Sequence, residues 1–476
     1  MANNPVLKVI GQITVEPLAF LYMFAIFGEF STYQDLLWER VCSDYFMNNG
    51  NNSSSSSTCT ISKASSTESQ ALAIIQARSA DQLLYNNIAM TCSSIVGSFM
   101  AGSYGDINGR LLPLTFPPLL SLVAQVLYLC SAYYMSHSTT TSSVNVLAML
   151  TACQLLGGIS GASISLLANC FGYISDITDP KSRTRRMIAI EASVFVGQFL
   201  GSISTGFILK QYNNSSQTAA HSYTKYYVCF GLFLGIHTVL VIYNWLRLSR
   251  YPVSHIQQRV VRQSKSRFSA KSVYKLFSDV LSTVFRRRES NNRRVMFLIF
   301  GAFIMITYAS EVMTSLMYLY VRNRPLLWQS SDYSFYNGIK FGVTGAALLV
   351  LPAVQLYVWP TMGDITVAVV GVVSRTAGLV LIGFATNGAM MYSSVALLMF
   401  SEYPLPIIRS LLSKLVAPDE RGKVFAFLTL WYNLCSLTGG IVFPLIYKHS
   451  LKTGGYTGIC FQLAAGFQLV AIGLLM

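Results

Sequence analysis

The sequence predicts an all-α membrane protein with twelve transmembrane helices in two six-helix bundles, and three observations carry the prediction. Of its 476 residues, 53% are hydrophobic and only 11% are charged, too apolar a balance for a chain that must cover itself with a polar, water-facing surface. About twelve stretches stay apolar over the roughly 20 residues that a hydrocarbon core of about 30 Å requires. The charged residues collect between these stretches, in the order six segments, a basic linker, six segments.

The chain opens with a short polar tail and then a segment long enough to span, so no cleavable leader is expected and the N-terminus is placed in the cytosol. Segment one runs from about Ile13 to Leu37. A polar loop of about residues 40–80 follows, in which Asn51 and Asn52 head overlapping N-x-S sequons. Glycan acceptors place that loop outside the cytosol. Segment two (about Leu83 to Tyr104) and segment three (about Leu111 to Met135) are joined by a turn of Gly105 to Arg110 only. Segments four (about Val146 to Ile174) and five (about Met187 to Leu209) are linked by Lys181, Arg183, Arg185 and Arg186, a positive loop that belongs inside. Asn213 and Asn214 give a second overlapping sequon before segment six, about Tyr226 to Leu246.

Residues 247–294 carry thirteen lysines and arginines against Asp279 and Glu289. The formal charge of +15 therefore reads as a topogenic cytosolic linker rather than a nucleic-acid surface. The second half repeats the count, with segments near Val295 to Tyr320, Tyr336 to Val358, Ile365 to Ala385, Met390 to Leu415, Val424 to Ile446 and Tyr456 to Met476. The predicted organisation is a bundle at 1–246, the linker at 247–294 and a bundle at 295–476 that ends with the chain at its last helix. Seven of the nine cysteines fall in apolar segments as small buried hydrophobes. Only Cys42 and Cys59 sit in a polar loop, where they either bridge in an oxidising compartment or stay as two thiols. No nucleophile and base spacing, metal motif or phosphate-cradling glycine loop is present, so an enzyme is not expected.

Gly102-x-x-x-Asp106-x-x-Gly109-Arg110, between segments two and three, resembles the loop signature of the major facilitator superfamily. Its glycines allow a tight turn and close helix approach, and Asp106 and Arg110 can pair with charges or helix ends nearby. The resemblance implies the major facilitator fold and a structural and gating role for these four residues. Four further stretches resemble the solute carrier 46 family, which includes a proton-coupled folate transporter. They are Val15-Glu16-Pro17 with Leu37-Trp38-x-Arg40; Ser182-Arg183-Thr184 with Arg186-Met187 and Glu191-Ala192-Ser193; Leu319-Tyr320 with Pro325-Leu326-x-Trp328; and Pro406-x-Ile408-Arg409 with Leu412-Ser413-Lys414-Leu415-Val416.

By that matching, Glu191 is similar to a glutamate tied to proton coupling and Arg409 to an arginine of substrate and proton binding, while Asn87 matches a polar position of segment two. Gln154, Ala162 and Ser310 stand where the folate member has an arginine, an aspartate and a histidine, so the resemblance argues against folate itself. Leu327 replaces the second cysteine of the family's loop-one to loop-four disulfide, which leaves the Cys42–Cys59 pairing as the substitute open to this chain.

An ionised side chain in hydrocarbon costs at least about 2.5 kcal/mol, so the few that persist face a cavity or a partner. Glu29, Glu191, Glu311, Glu402 and Arg409 are such residues, on helices that line the cavity in the resembled fold. Glu402 and Arg409 lie two turns apart on one helix face, about 10 Å along the axis. They are expected to bracket a solute, with Pro404 and Pro406 loosening the backbone between them. Glu16 reads as a helix-start feature, and His237 as a packed histidine. The expected function is proton-coupled symport of a small anionic or zwitterionic organic solute, folate-like, muropeptide-like or nucleotide-like, by alternating access. It needs no cofactor beyond a proton gradient, with lipid as the surrounding partner, in the plasma membrane or a lysosomal membrane. The competing readings are a receptor or scaffold without turnover and a lysosomal exporter of degradation products.

Overall fold

The computed structural model describes residues 14–48, 66–137, 143–178, 180–215, 219–248, 292–353, 363–416, 421–453 and 456–476. The described residues form twelve helical rods and no strand. In the first half these are α1 (Glu16–Asn48), α2 (Ser66–Asn108), α3 (Leu111–His137), α4 in two pieces (α4a, Ser143–Ile159; α4b, Ala162–Ile177), α5 (Pro180–Ser215) and α6 (Ala219–Tyr243, closed by a π turn at Asn244–Leu248). The second half holds α7 (α7a, Asn292–Ser315; α7b, Met317–Arg322), α8 (Ser330–Ala353), α9 (Asp364–Gly383), α10 (α10a, Gly388–Leu397; α10b, Pro404–Leu415), α11 (Arg421–Lys452) and α12 (Ile459–Leu475).

Eight helical stretches among the described residues are long and apolar enough, by length and composition, to cross a membrane; α12 is apolar but shorter. The loop expected at about 40–80 is partly helical, because α1 continues to Asn48 and α2 begins at Ser66. A helix needs no apolar sequence, and Arg40 and Asp44 support this end of α1 as an i,i+4 pair at 3.0 Å. Burial raises the Asp44 carboxyl above the ordinary aspartate range, against the pull of Arg40 and Arg78.

Two compact units divide the chain. The first gathers the described residues up to 248 together with Val321–Asn323 and Leu327–Gly342, and the second holds the remainder from residue 292. Leu18, Tyr22, Leu114, Leu166, Ile190, Val194 and Leu240 centre the core of the first unit. Its α5 meets the first half of α8 along an antiparallel seam. Phe207 packs edge-on against Phe335 at 5.0 Å between ring centres, Ile203 fills the space over Gly338, and Phe199 that over Gly342. Positions spaced by three or four residues share a helix face, which is why these three pairs fall in register.

Segment four was expected as one helix and is two. At the break Gly161 has φ +80° and Ala162 φ +52°. There α2 crosses so closely that a Cβ at Gly158 would lie 2.2 Å from the Met90 carbonyl oxygen, and one at Gly97 2.3 Å from that of Ile159. Gly97→Ala is therefore expected to destabilise by about 1–3 kcal/mol through overpacking of backbone that cannot yield. Gly102, by contrast, has nothing within 4 Å of its Cβ position, so the close helix approach expected there is not made. Gly102→Ala should be neutral or slightly stabilising. Unfolding temperatures of the two purified variants compare them, and equal values would remove the argument.

In α3 the ring of Pro118 carries no N–H for the Leu114 carbonyl one turn earlier. The Asn244 amide supplies the missing donor at 3.0 Å, which ties the π turn of α6 to α3. In the second unit Met296, Phe300, Phe303, Val372, Tyr403, Ile408, Leu412 and Phe427 form the core. Segment ten breaks at Leu398–Phe400, a 3-10 turn, and restarts with Pro404 in the first turn of α10b. Proline is well placed at a helix start and poorly placed inside one.

Candidate functional site

In the first unit α1 carries Glu29, half-buried at the level where Gly28 packs on Thr205 of α5 and Phe233 of α6. Its carboxylate accepts from Gln125 Nε2 of α3 at 2.5 Å and is also hydrogen-bonded by the Tyr128 hydroxyl. Gln154 of α4a donates to the Tyr128 oxygen at 2.9 Å, and Phe230 stacks on that ring at 4.8 Å. A turn further along, Asn86 of α2 donates to the Tyr33 hydroxyl and accepts from Thr151 at 2.6 Å and Gln82 at 3.0 Å. Asn86 is the residue of this network; the neighbouring candidate Asn87 accepts from Thr91 at 3.3 Å within its own helix.

A second cluster surrounds Asp35 near the C-terminal end of α1. Lys225 of α6 pairs with its carboxylate at 2.7 Å and with Glu39 at 3.7 Å. Arg322 lies 3.9 Å away and stacks over the Trp38 ring at 5.0 Å. The Tyr226 hydroxyl donates to Asp35 at 3.0 Å and Ser330 donates from the start of α8. Asp35 and Lys225 are both nearly without exposed surface.

The other expected residues of this unit are distributed as follows. Gly109 turns the α2–α3 connection with φ +95°. Arg110 reaches Asn169 at 3.5 Å across Gly172, where a Cβ would sit 2.3 Å from the guanidinium. The side chain of Asp106 lies outside the described residues. Arg186 gives its guanidinium to Glu16 at 2.9 and 3.1 Å and to Thr14 at 2.8 Å. Glu191, half-buried on α5, is therefore not the carboxylate that Arg186 holds. Asn213 accepts from Lys225 at 3.4 Å. The Asn214 side chain, Asn51, Asn52 and Cys59 lie outside the described residues, as does most of the basic linker. Cys42 is disulfide-bonded, and seven other cysteines are free. His237 is fully buried against the Tyr22 ring at 5.7 Å, and neither ring nitrogen has a hydrogen-bond partner among the described residues.

In the second unit Glu402 and Arg409 do not share the continuous helix face expected of them. Glu402 sits in the break before α10b, off the helix that carries Arg409, and its carboxylate pairs with Arg375 of α9 at 2.9 Å. Arg375 also donates to the Ser401 carbonyl at 2.6 Å and to the Ser310 hydroxyl. Glu311 of α7a is buried against Gly439 and hydrogen-bonded with Ser436 of α11. Arg409 is exposed on α10b, between the buried Ile408 and Leu412. Glu311, Glu402, Arg409 and Arg375 all act electrostatically on the Tyr432 hydroxyl, so the four charges share one neighbourhood in this unit. Two of them neutralise each other.

Sequence reasoning missed Arg375, Asp35 and Lys225. Arg375 is the one charge between Ile365 and Gly383, so the cost argument that singled out Arg409 applies to it with equal force. Asp35 and Lys225 were passed over because they sit near the ends of their segments, where a charge ordinarily finds water.

The family model described as Major Facilitator Superfamily matches residues 71–440. The lysosomal proton-coupled steroid conjugate and bile acid symporter SLC46A3 of Gallus gallus is 26% identical over 467 residues, which is 97% of this chain and 92% of the relative. The proton-coupled folate transporter of Bos taurus is 26% identical over 469 residues, 98% of this chain and 92% of the relative. A solved D-xylose-proton symporter has a TM-score of 0.58 at 15% identity over 95% of this chain and 97% of its own, a likeness in fold. The rods, the loop turned at Gly109 and a family match that reaches into both units lead to one assignment. This integral, multi-pass membrane protein belongs to the major facilitator superfamily, and its likeness to the solute carrier 46 family runs over nearly its whole length.

Proposed function

We propose that the protein is a secondary active symporter that couples protons to the movement of a small anionic or zwitterionic organic solute by alternating access. Arg409 carries the reading. An arginine in a membrane helix is too costly to face lipid, and this one is exposed and makes no ion pair among the described residues, while the neighbouring Arg375 and Glu402 are paired with each other. A guanidinium held ready in this way suits a carboxylate or phosphate, which it can bind through two parallel hydrogen bonds. The buried Glu311 nearby supplies the opposite charge for a zwitterion. Both relatives described above are named as proton-coupled, which supports the coupling, and Glu191 is its expected carboxylate. The basic stretch of Lys181 to Arg186 supports a cytosolic N-terminus, with the sequons of Asn51, Asn52, Asn213 and Asn214 on the opposite side, in a plasma or lysosomal membrane.

A thermal-shift screen of folates, bile acid conjugates, muropeptides and nucleotides on the purified protein identifies the solute, and proteoliposome uptake then tests the mechanism. Acidifying the side from which solute enters should raise uptake, and Glu191→Gln should remove that response. Arg409→Ala should lower uptake at least about tenfold, the worth of a lost charge-assisted hydrogen bond. Binding without counterflow would favour a receptor instead, and wild-type uptake by Arg409→Ala would remove the assignment of that residue.

A further inference from the structure

We propose that Glu29, Gln125 and Tyr128 form a proton-binding site inside the first unit, in which the Gln125 amide serves both protonation states of the carboxyl. The proposal deepens the proton-coupled reading and rests on it for its place in transport, though not for its chemistry.

The interior carboxylates differ in what holds them. Asp35 has Lys225 at 2.7 Å, Glu402 has Arg375 at 2.9 Å and Glu16 has Arg186 at 2.9 Å. Glu29 is held by an amide and a phenol, and no lysine, arginine or histidine pairs with it among the described residues. The titratable groups near it are Tyr22 and Tyr33 of its own helix, Tyr128 of α3 and Cys153 of α4a. All are neutral at physiological pH. From α2 come the amides of Asn86 and Gln82, from α5 Thr205, and from α6 the rings of Phe230 and Phe233, with His237 one ring beyond, against Tyr22. A carboxyl enclosed without a cation satisfies its surroundings by exchanging a proton rather than by staying permanently charged.

The two partners of Glu29 have different capacities. Gln125 Nε2 donates to the carboxylate, while Gln125 Oε1, in a side chain with no exposed surface, has no partner among the described residues. An orphaned buried acceptor calls for a physical reason. When a proton arrives from water on a Glu29 oxygen, the new O–H needs an acceptor. A half-turn of the amide brings Oε1 to it, and Nε2 takes the unpaired place. One end of the amide is unpaired in either state, so its orientation follows the carboxyl. Tyr128 is not two-sided in this way. Its oxygen already accepts from Gln154, so its own O–H is directed at Glu29 and favours the charged form.

Infrared difference spectra of the full chain in lipid nanodiscs, stepped between neutral and acidic pH without solute, test the site independently of transport. The wild type should show a protonated-carboxyl band on acidification together with a shift of a side-chain amide band. Glu29→Gln should remove one component of the carboxyl band, Gln125→Leu the amide shift, and Glu191→Gln and Glu311→Gln should leave the Glu29 component in place. Tyr128→Phe keeps the ring and its packing and should move the midpoint of the band to higher pH by about one unit. A band untouched by Glu29→Gln, or a midpoint untouched by Tyr128→Phe, overturns the proposal. Uptake that ignores pH while the band behaves as stated would instead overturn the proton-coupled reading and leave the site standing.

Discussion

Asp35→Ala is expected to destabilise the protein by about 3–5 kcal/mol, because it strands the buried Lys225 ammonium without its nearest counter-charge. Lys225 would retain Glu39 at 3.7 Å, the Asn213 side chain at 3.4 Å and the face of the Tyr226 ring at 4.9 Å. Arg322, Tyr226 and Ser330 would lose their common acceptor in the same step. Thermal unfolding of the purified variant measures the loss. The double variant Asp35→Leu with Lys225→Met should recover most of it, since an apolar pair of similar volume often replaces a buried ion pair without net cost. Recovery separates charge stranding from a general intolerance of change at this end of α1. A single variant as stable as the wild type would show that the cluster holds nothing together.

The second large effect is an asymmetry between Glu402 and Arg375. Arg375 is the more enclosed partner, with 8% of its side chain exposed against 38% for Glu402. Glu402→Ala leaves a guanidinium that cannot lose its proton and has little access to water. Its bonds to the Ser310 hydroxyl and the Ser401 carbonyl remain, so the cost should fall near the lower end of the range for a broken buried pair, about 3 kcal/mol. Arg375→Leu frees a carboxylate that is already partly open to solvent, and it should cost less. Unfolding temperatures of the two variants give the order directly, and the reverse order would show that Arg375 is hydrated in the native protein. Arg375→Leu should also lower uptake, because a freed Glu402 near Arg409 competes with an anionic solute for that guanidinium.

Much of the membrane frame was legible in the residues themselves. The all-α frame of the major facilitator fold was expected and found, with eight described stretches long and apolar enough to span, and the candidate charges Glu29, Glu311 and Arg409 were singled out by asking what an ion costs in an apolar helix. The breaks in segments four, seven and ten were not read as breaks. Gly158 and Gly161 in segment four could have been ordinary helix glycines until the crossing α2 backbone closed on them. The prolines at 404 and 406 pointed to a loosened helix, but not to a Glu402 placed outside it. Asn86 and Asn87 were indistinguishable for a related reason. Neighbouring residues differ by about 100° around a helix axis, and only the position of Tyr33 decides which one joins its network.

The sequence by itself determined where the helices run and which residues carry the signature of the family, since length, hydropathy and motif spacing are properties of a line. Tertiary structure alone decided which charges are spoken for. Glu16 meets Arg186 across 170 positions, Glu29 meets Gln125 across 96, and Ser330 reaches Asp35 across 295. Pair energies depend on a few ångströms of separation and on exclusion of water. Neither quantity exists until the helices have packed, and it is packing that leaves Asp35 locked between cations, Arg409 open, and Glu29 enclosed among neutral groups.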